Sequence, residues 1–319
     1  MNAAAYFAHG MTQGRAGQWE AAAGSFVASL RADPTQQLAL QALLECAAAR
    51  VRAGATAPAA EPIASALPGM ISFVVCSIDP AKLERLRGDL SRRCAGETWE
   101  LVHIGDARSL CEGYNRGLAR TRGELIVFCH DDIGLLRDDF IDRLRRHLAR
   151  ADLVGVAGST LAAGPGWFWA GPPHTASWVS APHASGITCG LLGGGGPTVD
   201  SAQALDGVFL AGRRAAFEAL PFDADTFDGF HGYDVDLSYR AWQSGLRCTI
   251  ALDLLLWHQS GGNFSASWHR YGERFLAKHP SIRPLPEPVK FRPGALVAPA
   301  DLVAPMYAWI AHWMTRAAA

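Results

Sequence analysis

Glu124-Leu125-Ile126-Val127-Phe128-Cys129-His130-Asp131-Asp132 is the stretch that decides the fold of this chain. Its apolar middle has the length and composition of a strand buried on both faces, and it runs straight into two adjacent carboxylates. Two such groups repel each other unless a cation or solvent separates them. A divalent metal relieves the conflict, because Mg²⁺ or Mn²⁺ takes one or two protein carboxylates and fills its other positions with phosphate oxygens and water. Alone, Asp131-Asp132 reads more readily as a loop cap, so the surrounding sequence has to choose between the two.

Around this strand, short apolar runs alternate with helical stretches. Ile71 to Cys76 is followed by an amphipathic Asp79 to Arg93, then Trp99 to Ile104, a helix across Ser109 to Arg120, a helix from Asp138 to Ala151, and Leu153 to Ala157. Buried strands separated by helices imply an α/β fold with a mostly parallel sheet and right-handed crossovers. Ligands in such sheets sit beyond the carboxyl ends of the strands, here near Ser77, Asp106 and His130 to Asp132.

Residues 1–52 are alanine-rich and helical in period, broken at Gly14 to Gly17 and at Asp33-Pro34, which predicts two helices and the start of a third. The spacing Tyr6, Gly10, Gly17, Ala22, Phe26, Pro34 resembles a tetratricopeptide repeat. Such a unit buries its faces only by docking, on the rest of the chain or on a protein partner. Residues 53–69, rich in Ala, Pro and Gly, read as a linker, 70–292 as the α/β domain, and 293–319 as a C-terminal extension with an amphipathic helix, Leu302 to Met314.

Lys+Arg number 29 and Asp+Glu 30, a net charge of -1 that offers no basic field for nucleic acid. Seven scattered cysteines without a C-x-x-C pair argue against a disulfide framework or zinc ribbon. With no signal peptide and no apolar run long enough to span a bilayer, the expected location is the cytoplasm, including the inner membrane face for a peripheral protein.

A second acidic cluster decides between cap and metal site. Phe230-His231-Gly232-Tyr233-Asp234-Val235-Asp236-Leu237-Ser238-Tyr239-Arg240 is followed by a helix, Gly245, a strand and Trp257-His258-Gln259-Ser260-Gly261-Gly262. With Tyr114-Asn115-Arg116-Gly117-Leu118 ahead of the apolar strand, the set resembles the family 2 glycosyltransferases of the GT-A fold, from about Ile71 to Gly262. The resemblance implies a divalent metal, Mn²⁺ or Mg²⁺, held by the last Asp of a D-x-D motif, here Asp132, with His258 completing its sphere. The first Asp of that motif is His130 here, which implies a hydrogen bond to ribose or phosphate in place of an anionic contact. Asp131 is implied on the donor side.

The catalytic base of that family lies in an acidic pair opening a helix. Asp234 occupies that place, preceded here by Tyr233, while Asp236 is expected to brace the helix. Cys76, Ser77, Asp106 and Asn115 are implied at the nucleotide, a UDP-sugar first among the donors. Trp169, in the Gly- and Trp-rich stretch Gly164 to Pro197, with Asp206 and Gly207, is expected beside a glycan or protein acceptor. The implied reaction is an inverting transfer from a nucleoside-diphosphate sugar to a hydroxyl. A nucleotidyltransferase would need a glycine-rich basic loop after strand one, which Cys76-Ser77-Ile78-Asp79-Pro80 is not. A noncatalytic nucleotide-binding adaptor, recruiting a partner through the helical segment, is the rival from another class.

Overall fold

The computed structural model describes residues 1–56, 67–193, 196–262 and 264–316. Most of the expected linker, 57–66, and two glycines of the run at 193–196 therefore lie outside the described residues. Helices α1 (Ala3–Arg15), α2 (Trp19–Ala32) and α3 (Gln37–Arg52) come first. The third helix, expected only as a beginning, is complete. Its apolar face of Leu40, Leu43, Leu44 and Ala47 is wholly covered, and tertiary burial rather than propensity holds such a helix together. Gly10 lets α1 lie on α2, since a Cβ there would stand 2.7 Å from the Phe26 ring.

The α/β body opens with β1 (Ile71–Cys76), α4 (Pro80–Arg93), β2 (Trp99–Ile104), α5 (Leu110–Leu118), β3 (Leu125–Cys129), β4 (Ile133–Leu135), α6 (Phe140–Arg150) and β5 (Leu153–Gly155). Short strands β6 (Ala157–Ser159), β7 (Thr175–Ser177), β8 (Ala181–His183), β9 (Gly186–Leu191), β10 (Thr198–Asp200), β11 (Ala204–Leu205) and β12 (Phe209–Arg213) follow. The chain continues through α7 (Arg214–Ala219), α8 (Tyr233–Gln243), β13 (Cys248–Ala251), β14 (Leu256–His258), α9 (Ala266–Lys278), β15 (Gly294–Ala298) and α10 (Ala300–Arg316).

Seven strands form the main sheet in the order β10-β13-β5-β12-β3-β1-β2. Strands β2, β1 and β3 run parallel, as do β13 and β5, whereas β12 lies antiparallel between β3 and β5. Every residue of β3 is buried, as a strand covered on both faces requires. Local signals start the helices: the Asp79 carboxylate accepts from the N–H groups of Ala81 and Lys82, and Pro80 takes the first turn of α4. The Ser109 hydroxyl caps α5 by accepting from the N–H of Glu112. Two glycines then press α5 onto β1. A Cβ at Gly113 would stand 2.5 Å from Cys76 Sγ, and one at Gly117 2.3 Å from Val74 Cγ1.

The C-terminal piece ties the helical segment to this body. β15 pairs antiparallel with β9, and α10 buries Trp309, Trp313 and Met314. The Arg50 guanidinium of α3 lies 4.4 Å from the Trp309 ring, Arg31 donates to the Met314 carbonyl, and the Ala295 N–H donates to Gln41. All seven cysteines are free. Among the described residues, no helix is long and apolar enough to cross a membrane.

Gly117→Ala tests the seating of α5. Its methyl group has no room against Val74, so the variant is expected to lose about 1–3 kcal/mol of stability, read by urea denaturation.

Candidate active site

β3 ends at Cys129, and the next three residues carry the chemistry. The following strand, β4, pairs with β14 in antiparallel register: Leu135 faces Leu256, Gly134 faces Trp257, and Ile133 faces His258. Gly134 is required there, because a Cβ would stand 2.3 Å from the indole of Trp257. The pairing continues as the Gln259 N–H donates to the Asp132 carbonyl, and the His258 N–H donates to Ser180. His258 is thereby held against the strand end.

The His258 Nε2 is 3.1 Å from Asp132 Oδ1, 3.2 Å from His130 Nδ1 and 3.0 Å from the Ser260 hydroxyl. One ligand atom from each of His130, Asp132 and His258 falls within 4.8 Å of the other two. Asp132 is buried. Burial alone would raise its pKa, but the hydrogen bond and charge of His258, then the charge of His130, hold the carboxyl well below the usual range. His130 is held below its own usual value by burial and then by His258, which favours the imidazole form that has a lone pair to offer. An anionic oxygen and two imidazole nitrogens facing one point suit a divalent cation.

The neighbouring carboxylate is dealt with differently. Asp131 Oδ2 accepts from the Ser77 hydroxyl at 2.6 Å. Lys82, on the first turn of α4, places its ammonium 3.9 Å from both Asp131 and Asp132. The repulsion that the bare sequence poses is thus relieved by a hydroxyl and a cation on one side and imidazoles on the other. Sequence alone did not single out Lys82; its proximity to the pair comes from the crossover after β1.

On the other side, α8 opens at Gly232, whose φ of 78° is in the left-handed region that glycine adopts without strain. Asp234 stands in the first turn, half-buried, its Oδ2 accepting the Gly207 N–H at 2.9 Å. Burial, and then the charge of Asp206, push its pKa up to about 7. Asp206 itself accepts from the Val208 N–H and from the indole of Trp167. Gly207 must be glycine, since a Cβ would lie 2.0 Å from the Tyr233 hydroxyl. That hydroxyl is 2.9 Å from His130 Nε2, so one hydrogen bond joins the carboxylate helix to the imidazole of the strand end. Asp236 braces the fold: fully buried, it binds Arg240, Lys278 and His279 at 2.7–2.8 Å.

The remaining expected residues lie differently. Cys76 presses its sulfur against α5, with the thiol pushed up to about 12 by burial and then by Glu112. Asp106 is exposed at the end of β2 and paired with Arg116 at 2.8 Å. The Asn115 carboxamide spends both its groups on the backbone of Phe222. Trp169 donates to the Leu285 carbonyl and stacks on Trp268 of α9. Trp268 also stacks on Phe168 and meets the exposed Phe264 edge-on, an aromatic group assembled from two segments about a hundred residues apart. A cavity of about 1690 Å³ between α6, β13 and α10 contains none of these residues.

The mostly parallel sheet thus carries a His-Asp-His group and a carboxyl-bearing helix entry at its strand ends. A family model described as "Glycosyltransferase like family" matches residues 72–279, and the chain belongs to that family. No curated protein matches the chain. It is similar to a mannosyltransferase from Pyrobaculum calidifontis solved with GDP-Man and Mn²⁺: 14% identity, TM-score 0.45, covering 92% of this chain and 85% of that one. It is also similar to GalNAc-T7 solved with UDP, GalNAc and Mn²⁺: 11% identity, TM-score 0.40, covering 68% and 52%. A Drosophila galactosyltransferase solved with manganese, UDP-Gal and xylobiose gives 14% identity and TM-score 0.37, over 63% and 73%. At these scores the likenesses decide nothing about substrate.

Because burial and Asp206 together raise Asp234, the carboxyl of Asp234 is expected to titrate near 7. Asp206→Asn removes the second of these causes and moves the titration to lower pH. Carboxyl ¹³C shifts followed by NMR from pH 4 to 9 read both.

Proposed function

We propose that this chain is a metal-dependent inverting glycosyltransferase, moving a sugar from a nucleoside-diphosphate donor to a hydroxyl of a glycan, lipid-linked or protein acceptor. One observation carries the reading: the raised carboxyl of Asp234 and the trio His130, Asp132 and His258 stand on either side of the hydrogen bond between His130 and Tyr233. A base and a cation site that close are what a single displacement at an anomeric carbon requires.

Asp234 takes the acceptor's hydroxyl proton. A carboxyl raised toward neutrality is a better base than an ordinary one while still ionised in useful amount at pH 7. Asp132 and His258 would hold a divalent ion, which would supply positive charge to offset the negative charge growing on the departing nucleoside diphosphate. Lys82 adds a cation beside the same phosphates, and Ser77 fixes Asp131 on the donor side. Asp206 keeps Asp234 raised and binds the indole of Trp167, which starts an aromatic wall suited to an apolar sugar face.

Asp132→Ala is expected to abolish Mn²⁺-dependent binding of UDP or GDP in calorimetry. Asp234→Asn keeps that binding and loses transfer by about 10²-fold or more. The base works only when ionised, so kcat/KM rises as pH increases through about 7 and then levels off. A pH-independent rate down to pH 5, or an active Asp234→Asn, would refute the base assignment.

A further inference from the structure

We propose that His130 is a third protein ligand of the divalent ion and that Tyr233 is its positioning residue, making a site of two imidazoles and one carboxylate that selects Mn²⁺ over Mg²⁺. The inference rests on the metal reading above but goes beyond it, since the sequence left open whether His130 meets ribose, phosphate or metal. Its two ring nitrogens face different ways. Nδ1 points into the group formed with His258 and Asp132, 3.2 Å from His258 Nε2, while Nε2 lies 2.9 Å from the Tyr233 hydroxyl. An imidazole binds metal through an unprotonated nitrogen, so ligation at Nδ1 requires the proton on Nε2, where the Tyr233 oxygen accepts it.

Tyr233 is built to hold that position. It is buried at 4% exposure, with its ring against Tyr114 at 5.8 Å and Phe222 at 6.2 Å. The absence of a side chain at Gly207 is what lets its hydroxyl reach the histidine. Where an acidic residue would bring a second negative charge, Tyr233 brings a neutral oxygen, which fixes the tautomer without competing for the ion. Mg²⁺ prefers oxygen ligands and strict octahedral geometry, whereas imidazole nitrogens suit Mn²⁺ and the later first-row metals better.

Pulsed EPR on the full chain loaded with Mn²⁺ counts the bound nitrogens directly. Two imidazole couplings are expected in the wild type and one each in His130→Ala and His258→Ala. Tyr233→Phe keeps the ring and is expected to weaken Mn²⁺ affinity by about 10–100-fold. UDP affinity measured without metal stays as in the wild type, which a general loss of structure would not permit. A tenfold excess of Mg²⁺ leaves the wild-type spectrum in place. A single nitrogen in the wild type overturns the inference even if no variant folds, and with transfer intact it leaves the proposed function standing. Two nitrogens without sugar transfer from any donor support the inference and remove that function. Unchanged Mn²⁺ affinity in Tyr233→Phe overturns its positioning role.

Discussion

The three-residue antiparallel pairing of β4 with β14 is the constraint on which the site depends. Without it, His258 has no reason to lie beside Asp132, from which it is more than a hundred residues removed in sequence. The pairing is short, but it is secured from three directions: the Trp257 indole packs close against Gly134, the Gln259 N–H reaches the Asp132 carbonyl, and the His258 N–H reaches the Ser180 carbonyl. Register in a pair this short admits no slip, because a shift of one residue would turn His258 away from the strand end.

A second constraint links the two halves of the site. Gly207 is bare so that Tyr233 can cross above it, and the same peptide N–H holds the carboxylate of Asp234. The carboxylate helix and the strand end that carries His130 thus share one small contact zone. Its electrostatics diverge sharply over that short span: Asp132 is held down by imidazoles, while Asp234 is held up by burial and by Asp206. Two carboxyl groups in neighbouring surroundings are thereby shifted in opposite directions, the pattern that the proposed metal and base roles call for.

The terminal pieces are structurally part of the same body. α3 lies against α10 and β15, and β15 in turn adds to β9. A repeat-like helical unit of this length cannot bury its own faces, and here the C-terminal helix supplies the missing surface. Its Trp309 and Trp313 are covered in doing so.

The alternation of apolar runs and helices, with every residue of β3 apolar, already determined the mostly parallel sheet, because a strand covered on both faces leaves a continuous apolar run in the sequence. The helix starts at Asp79 and Ser109 and the helix entry at Gly232 were legible for the same reason: each is a local pattern. Tertiary structure alone decided the company these residues keep. That His130 faces His258 and Tyr233, that Lys82 approaches both carboxylates, that Asn115 is spent on Phe222 and that Asp106 pairs with Arg116 all follow from strand register and crossover geometry. Such contacts join positions from ten to more than a hundred residues apart, and no local periodicity encodes them.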